Sequence, residues 1–238
     1  MIQRTKVITL ILFGLLFTNL SAQEGSFNDD KVANLADDDR TYRFGLQFSP
    51  NISWIKTNST GYSNDGSKVG FSYGLSFEYF MTKNYLFSTG IGIVKGGGSL
   101  IYENKNLVSN DIQEDFKLKY IEVPLLIKMR TNEIGYLTYF GQFGLMAGFN
   151  LGSSSTADYQ TNFDNFGFVI TPAPEPPSST GIGFMNLALS IGGGVEYSIS
   201  GNTSLMLGVT FNNGFVDQLD GDASANLNYV ALNIGIYF

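Results

Sequence analysis

From residue 42 onward the chain alternates apolar with small or polar residues at a period of two, in eight successive segments. Neighbouring side chains on a β-strand point to opposite faces, so each segment reads as a strand with one apolar face. In the first, Phe44, Leu46, Phe48, Ile52 and Trp54 oppose Gly45, Gln47, Ser49, Asn51 and Ser53. In the second, Val69, Phe71, Tyr73, Leu75, Phe77 and Tyr79 oppose Gly70, Ser72, Gly74, Ser76 and Glu78. The same rhythm covers residues 85–94, 117–130, 136–151, 184–199, 205–211 and 230–238. No segment after the leader reaches transmembrane-helix length without a polar or glycine interruption.

The connections alternate in length. Long ones are expected near residues 56–67, 95–116, 152–182 and 213–227, and short ones near 82–84, 131–135 and 200–202. Thr82, Lys83 and Asn84, and again Ser200, Gly201 and Asn202, supply turn-forming residues. Long loops on one side and tight turns on the other describe an all-β, antiparallel up-and-down barrel of about eight strands. An even strand count puts both chain ends on the short-turn side.

A soluble barrel or sandwich also alternates, and the composition of its less apolar face separates the two. A water-facing surface carries Lys, Glu and Thr, whereas here that face is mainly Gly, Ser, Asn and Ala. Small residues suit the crowded interior of a narrow barrel. The opposite face is continuously apolar with aromatic residues near its ends, as hydrocarbon contact and interfacial girdles require. The predicted fold is therefore a transmembrane barrel of a Gram-negative outer membrane, with periplasmic N- and C-termini. Phe238 closes the last apolar face and fits the terminal signal by which barrel-assembly machinery recognises its clients. Pro124 lies in the fourth segment. A closed barrel has no free edge to tolerate a missing amide, so a bulge or kink is expected there.

The first 22 residues read as a cleavable signal peptide. Arg4 and Lys6 precede an apolar stretch over residues 7–17, and Ser21 and Ala22 offer small residues before Gln23. That stretch is short for a membrane span of roughly 20 residues, the alternative reading. Residues 23–41, with Asp29, Asp30, Asp37, Asp38 and Asp39, form an acidic periplasmic linker, and residues 42–238 the barrel.

Composition narrows function. The formal charge is −7, and removing the two cations Arg4 and Lys6 makes it −9, which argues against nucleic acid as a partner. The chain has no Cys and no His. Thiolate metal sites and disulfides are thus excluded, and so is the usual neutral-pH base. Barrel enzymes of outer membranes generally depend on a His, so neither enzymatic activity nor a cofactor is expected. Two glycine runs, Gly96 to Gly98 and Gly192 to Gly194, lack the Lys-Ser/Thr ending of a phosphate loop. They read as a loop hinge and as a close-packed lumen position.

Charged residues on the inward face form the main candidate site. Arg43, Glu78, Lys128, Arg130 and Glu196 fall near the periplasmic end of the lumen, with Glu122 somewhat higher. Three carboxylates and three cations fit a compensated structural plug, and a proton relay or gate is the functional alternative. Asp217, Asp220 and Asp222 offer carboxylates for a divalent cation, although their spacing fails the EF-hand pattern and a solvated loop is the simpler reading. The longest loop holds Tyr159, Phe163, Phe166 and Phe168 ahead of four prolines between 172 and 177. It marks either a partner surface or a cover over the barrel mouth.

Two segments carry a family resemblance. Tyr120-Ile121-Glu122-Val123-Pro124-Leu125-Leu126-Ile127-Lys128 resembles the Y-[LI]-E-[IV]-P-L-L-x-K segment of the PorT-like outer-membrane β-barrels of Bacteroidetes. Gly192-Gly193-Gly194-Val195-Glu196-Tyr197 is similar to that family's G-x-G-x-E-Y strand. The resemblance implies the barrel, and for the family's namesake an accessory role in type IX protein secretion. The functional expectation is a structural or interaction protein of the cell envelope. Its expected contacts are outer-membrane lipid and lipopolysaccharide, the assembly machinery and secretion-system proteins. A secretion accessory is the alternative, and a narrow channel a third.

Overall fold

The period-two pattern closes on itself. The computed structural model describes residues 40–57, 62–103, 111–159, 182–218 and 224–238. They form β1 (Tyr42–Thr57), β2 (Tyr62–Phe80), β3 (Tyr85–Glu103), β4 (Asp111–Arg130), β5 (Leu137–Tyr159), β6 (Met185–Ser200), β7 (Thr203–Gly214) and β8 (Ala225–Tyr237). Each strand pairs antiparallel with the next, and β8 pairs with β1, giving a closed barrel in chain order. Closure leaves no sheet edge within the wall, which a strand needs if it is to stand in hydrocarbon. The expected leader and all of the linker but residues 40 and 41 lie outside the described residues.

The two faces sort as the alternation requires. Along β1, Arg43, Ser49, Asn51 and Ser53 are buried inside, while Phe44, Leu46, Phe48 and Ile52 are each about half exposed outside. The same holds for Leu75, Ile91, Leu125, Leu145, Leu189, Leu207 and Ile234 around the wall. A continuous belt of large apolar side chains is stable against lipid and would be an aggregation surface in water. On β4 it runs from Met129 to Ile121, and on β1 from Phe44 to Trp54. At about 3.4 Å per residue and a tilt of about 40°, these spans are roughly 20 and 26 Å tall, close to a hydrocarbon layer.

Four strands outrun the belt. β2, β3, β4 and β5 have 19, 19, 20 and 23 residues, against 16, 16, 12 and 13 for β1, β6, β7 and β8. The expected long loop at 95–116 is therefore largely strand, since β3 reaches Glu103 and β4 starts at Asp111, and the first eight residues of the loop expected at 152–182 extend β5 to Tyr159. Inward alternation persists there through Leu100, Phe116 and Leu118, but the outward residues turn polar at Lys95, Lys117 and Lys119. Strand pairing needs only the inner face to be buried, so the ladder continues past the point where hydrocarbon ends. The reading of Gly96 to Gly98 as a loop hinge is corrected by the same finding. All three lie within β3, and a Cβ on Gly97 would stand 2.0 Å from the Phe116 carbonyl oxygen.

Pro124 is accommodated without a bulge. The β3–β4 register is in phase on either side of it, from Thr89 opposite Leu125 to Gly92 opposite Glu122, and the pairs between them are missing. The ladder lapses locally because proline has no amide to donate. Pro50 does the same on β1, where pairing with β8 skips from Phe48 to Asn51. Ser49 Oγ and Gln47 Nε2 bridge that gap by donating to Asn233 Oδ1 at 2.8 and 3.0 Å. The register shift between β4 and β5 falls instead opposite Lys119 and Tyr120, where β5 carries Leu151 as an extra residue. The tight turn between β6 and β7 relies on Gly201, whose φ of +50° favours glycine.

Candidate functional site

The inward face fills the lumen in three layers. Nearest the short turns lies a closed ion-pair cluster. Arg43 stands next to Glu78 by strand register, and both sit within two residues of the ends of their strands. Lys128 on β4 and Glu196 on β6 reach in from across the barrel. Arg43 Nε donates to Glu78 Oε2 at 2.7 Å, and Arg43 Nη2 to Glu196 Oε1 at 2.6 Å. Lys128 Nζ donates to Glu78 Oε1 at 2.8 Å and to Glu196 Oε1 at 2.5 Å. Each carboxylate thus meets both cations, and all four side chains are essentially inaccessible. Two positive and two negative charges cancel, which is how charges withdrawn from water persist.

Aromatic rings complete this layer. The Arg43 guanidinium lies 4.3 Å from the Tyr237 ring centroid, and Lys128 Nζ lies 4.2 Å from that of Phe140. Such contacts favour the cations at no cost in hydrogen-bonding capacity. The expected plug of six charges is therefore four mutually bonded ones. Arg130 lies at the strand end with its guanidinium 5.6 Å from the Phe80 ring, and Glu122 belongs to the next layer.

The middle layer is polar. Tyr229 OH donates to Glu122 Oε2 at 2.6 Å, and Asn233 Nδ2 donates to Thr210 Oγ1. Glu122, Ser190, Thr210 and Asn212 are among the residues lining a cavity of about 100 Å³ in this layer. Because Tyr229 supplies the hydrogen bond to a buried carboxyl group, Tyr229→Phe is expected to lower barrel stability by about 2 kcal/mol. Reversible urea unfolding of the protein in lipid vesicles measures this, and an unchanged midpoint would refute the assignment.

Above it, toward the long connections, the lumen becomes apolar. Ile55, Leu100, Phe116, Leu118, Ala225 and Leu227 pack with Tyr120 into a buried cluster. Tyr120 OH donates to Gln218 Oε1, and Gln218 Nε2 donates in turn to Asn186 Oδ1 at 3.2 Å. Among the described residues, an ion-paired layer thus fills one end of the lumen and an apolar cluster the other.

The expected lumen of small residues is thus only half of the packing. Tyr120, Phe140, Tyr229 and Tyr237 fill space that glycines leave open. A Cβ on Gly208 would approach Phe140 Cζ to 3.1 Å, and one on Gly45 would meet the Tyr237 ring at 2.6 Å. Their signal was present in the sequence, as aromatics at inward positions of the alternation, but an aromatic residue is more readily assigned to the lipid face.

Among the described residues no group of three or more His, Cys, Asp or Glu is placed to hold a metal ion. Asp217 Oδ1 instead accepts from the Ala225 amide at 2.8 Å, while Asp220 and Asp222 lie outside the described residues. So does most of the aromatic and proline-rich loop. Phe238 is exposed on the outer wall, and its amide donates to the Phe44 carbonyl at 2.8 Å.

Alternate residues of both resembling motifs point inward. Tyr120, Glu122, Pro124, Leu126 and Lys128 alternate into the lumen, as do Gly192, Gly194 and Glu196. They specify how the barrel is filled.

The family described as outer membrane protein beta-barrel domain matches residues 22–200. Among solved structures, the chain is similar to Neisserial surface protein A, with a TM-score of 0.46 at 16% identity over 82% of this chain and 95% of that one. It is similar to OprG of Pseudomonas aeruginosa, with a TM-score of 0.39 at 12% identity over 83% and 94%. It is also similar to Ail, the attachment invasion locus protein of Yersinia pestis, with a TM-score of 0.35 at 14% identity over 83% and 97%. No curated protein matches the sequence.

Proposed function

This chain belongs to the outer membrane protein beta-barrel domain family, and from that premise we propose that it is a non-enzymatic interaction protein working through the sheet that β2 to β5 raise beyond the lipid belt. The observation that carries this reading is the asymmetry of the wall. β2 to β5 stand seven to ten residues past Val69, Ile93, Ile121 and Leu151, where the continuous apolar belt ends, while β6 to β8 end close to the belt's rim. Along residues 151–159, β5 pairs with β4 alone among the described residues. A strand edge can offer backbone amides and carbonyls to an extended partner. The reading places this sheet outside the cell and both termini in the periplasm, following the rule that barrels carry short turns inside and long connections outside.

Among the described residues nothing comparable supports a lumen function, because ion pairs fill one end and apolar side chains the other. The secretion-accessory reading rests on motifs whose alternate side chains face that filled lumen, and it is tested by the same experiment. A deletion strain is complemented with the full chain or with a barrel in which residues 96–118 are replaced by a short turn. The proposal expects the shortened barrel to reach the outer membrane yet fail to restore surface-protein composition and envelope integrity. Full restoration would contradict it. Loss of secreted cargo in the deletion strain would favour the secretion role.

A further inference from the structure

Where the apolar belt ends on β3 and β4, the outer wall gathers positive charge on a chain whose formal net charge is −7. Lys95 is the next outward residue after Ile93, and Lys119 and Lys117 follow Ile121. Lys95 and Lys119 stand directly opposite each other in register, and Lys117 is the next outward position on β4. Like charges opposed across a strand pair destabilise a sheet unless something negative lies between or over them.

The neighbourhood supplies little that is negative. Lys68 is paired to Asp115 at 3.0 Å, and the Ser99 hydroxyl donates to the same carboxylate at 2.5 Å. That hydrogen bond, then Lys68, hold the Asp115 carboxyl below its ordinary range. None of the ion pairs among the described residues involves Lys95, Lys117 or Lys119. This stretch of wall holds Lys68, Lys95, Lys117 and Lys119 with no acidic residue among them, and Asp115 beside it is engaged by the first.

Its shape has room for a ligand. Opposite Lys119 and Lys117, β5 presents Gly152 and Ser154, and a Cβ at Gly152 would meet nothing within 4 Å. The result is a shallow depression of about 510 Å³ lined by Lys68, Lys95, Lys117 and Lys119. Its lower rim is Phe71, whose ring centroid lies 5.0 Å from Lys95 Nζ. Below that rim the lipid-facing surface of Tyr73, Ile91 and Ile121 continues without a break.

We propose that this patch binds the phosphate groups of a phosphorylated glycolipid of the outer leaflet, whose acyl chains lie along the apolar wall beneath it. Charge and position together select the ligand. Anions dissolved in water would gain nothing from the adjoining apolar surface, and a neutral lipid nothing from the lysines. A molecule with phosphates at the interface and several acyl chains satisfies both. The inference rests on the orientation proposed above, which places this end of the barrel at the cell surface.

The test uses the full mature chain folded in detergent, with binding read by native mass spectrometry. The probes are diphosphoryl lipid A, the same lipid after phosphatase treatment, and phosphatidylglycerol. Each lysine at the interface is worth about fivefold in affinity, so Lys95→Gln with Lys117→Gln and Lys119→Gln should weaken diphosphoryl lipid A about a hundredfold. The corresponding Lys→Arg triple should retain it, and the dephosphorylated lipid should not bind the unaltered protein. These side chains lie on the outer surface above the lipid belt, and a heat-modifiable band on gels confirms that each variant is folded. Equal affinity of the Gln variant and the unaltered protein would overturn the proposal, as would phosphatidylglycerol binding as tightly as lipid A. A separate arm reads orientation. With no native Cys, Ser154→Cys provides a single thiol, expected to react with an impermeant reagent on intact cells. Reaction only after the outer membrane is opened would overturn both the orientation and the assignment to the outer leaflet, whatever the binding shows.

Discussion

Lys128→Met is expected to destabilise the barrel by about 3–5 kcal/mol, more than the loss of any single hydrogen bond in the lumen. The reason is what it leaves behind. Glu78 Oε1 and Glu196 Oε1 both accept from Lys128 Nζ, and without it two buried carboxylates share one guanidinium. Lys128→Met with Glu78→Gln removes one charge of each sign and should recover a substantial part of the loss, because Arg43 and Glu196 remain a matched pair. Urea unfolding of both variants in vesicles measures the difference. A double variant as unstable as the single one would mean that charge balance is not what the cluster contributes.

The second large effect is steric. Gly194 and Gly208 face each other across β6 and β7, and a Cβ on Gly194 would lie 2.5 Å from Gly208 Cα and 2.2 Å from the Leu207 carbonyl oxygen. Backbone cannot swing aside as a side chain does, so Gly194→Val must spread two strands that closure holds together. The expected cost is about 3 kcal/mol, at the upper end of overpacking effects. Gly152→Val is the control, since it enters open space and should change stability by less than about 0.5 kcal/mol. Equal effects at the two positions would show that the lumen is not close-packed at Gly194.

These two positions also show what the sequence made legible. Period-two alternation is local, so the eight strands, their order, the short turns and the direction of nearly every side chain followed from it. Arg43, Glu78, Lys128 and Glu196 could be assigned to one end of the lumen because strand parity and distance from a turn fix height and facing. Which of the six inward charges bond to each other depends on register across the barrel, and no local pattern contains that. Glu122 therefore belongs with Tyr229, which reaches it from β8 on the opposite side of the lumen.

Strand ends are the other gap. Ending each strand where its outward face ceases to be apolar is the correct criterion for hydrocarbon. It misses β3 beyond Val94 and β4 before Lys117, where water replaces lipid outside while Leu100 and Phe116 still need cover inside. The lysine depression is hidden from the alternation for the same reason. With Lys95 at the start of an expected loop, nothing local places its register partner Lys119 opposite it.

The central claim is that one face of the alternation meets hydrocarbon and the other a closed interior. Because the chain contains no Cys, a nitroxide can be placed at single introduced cysteines along β4 from residue 121 to 129 in lipid vesicles. Collision rates with oxygen, which concentrates in lipid, and with a water-soluble nickel chelate then report each position. The account predicts high oxygen access at 121, 123, 125, 127 and 129, and low access to both reagents at 122, 124, 126 and 128. Strong collision with the nickel chelate at the outward positions would contradict it.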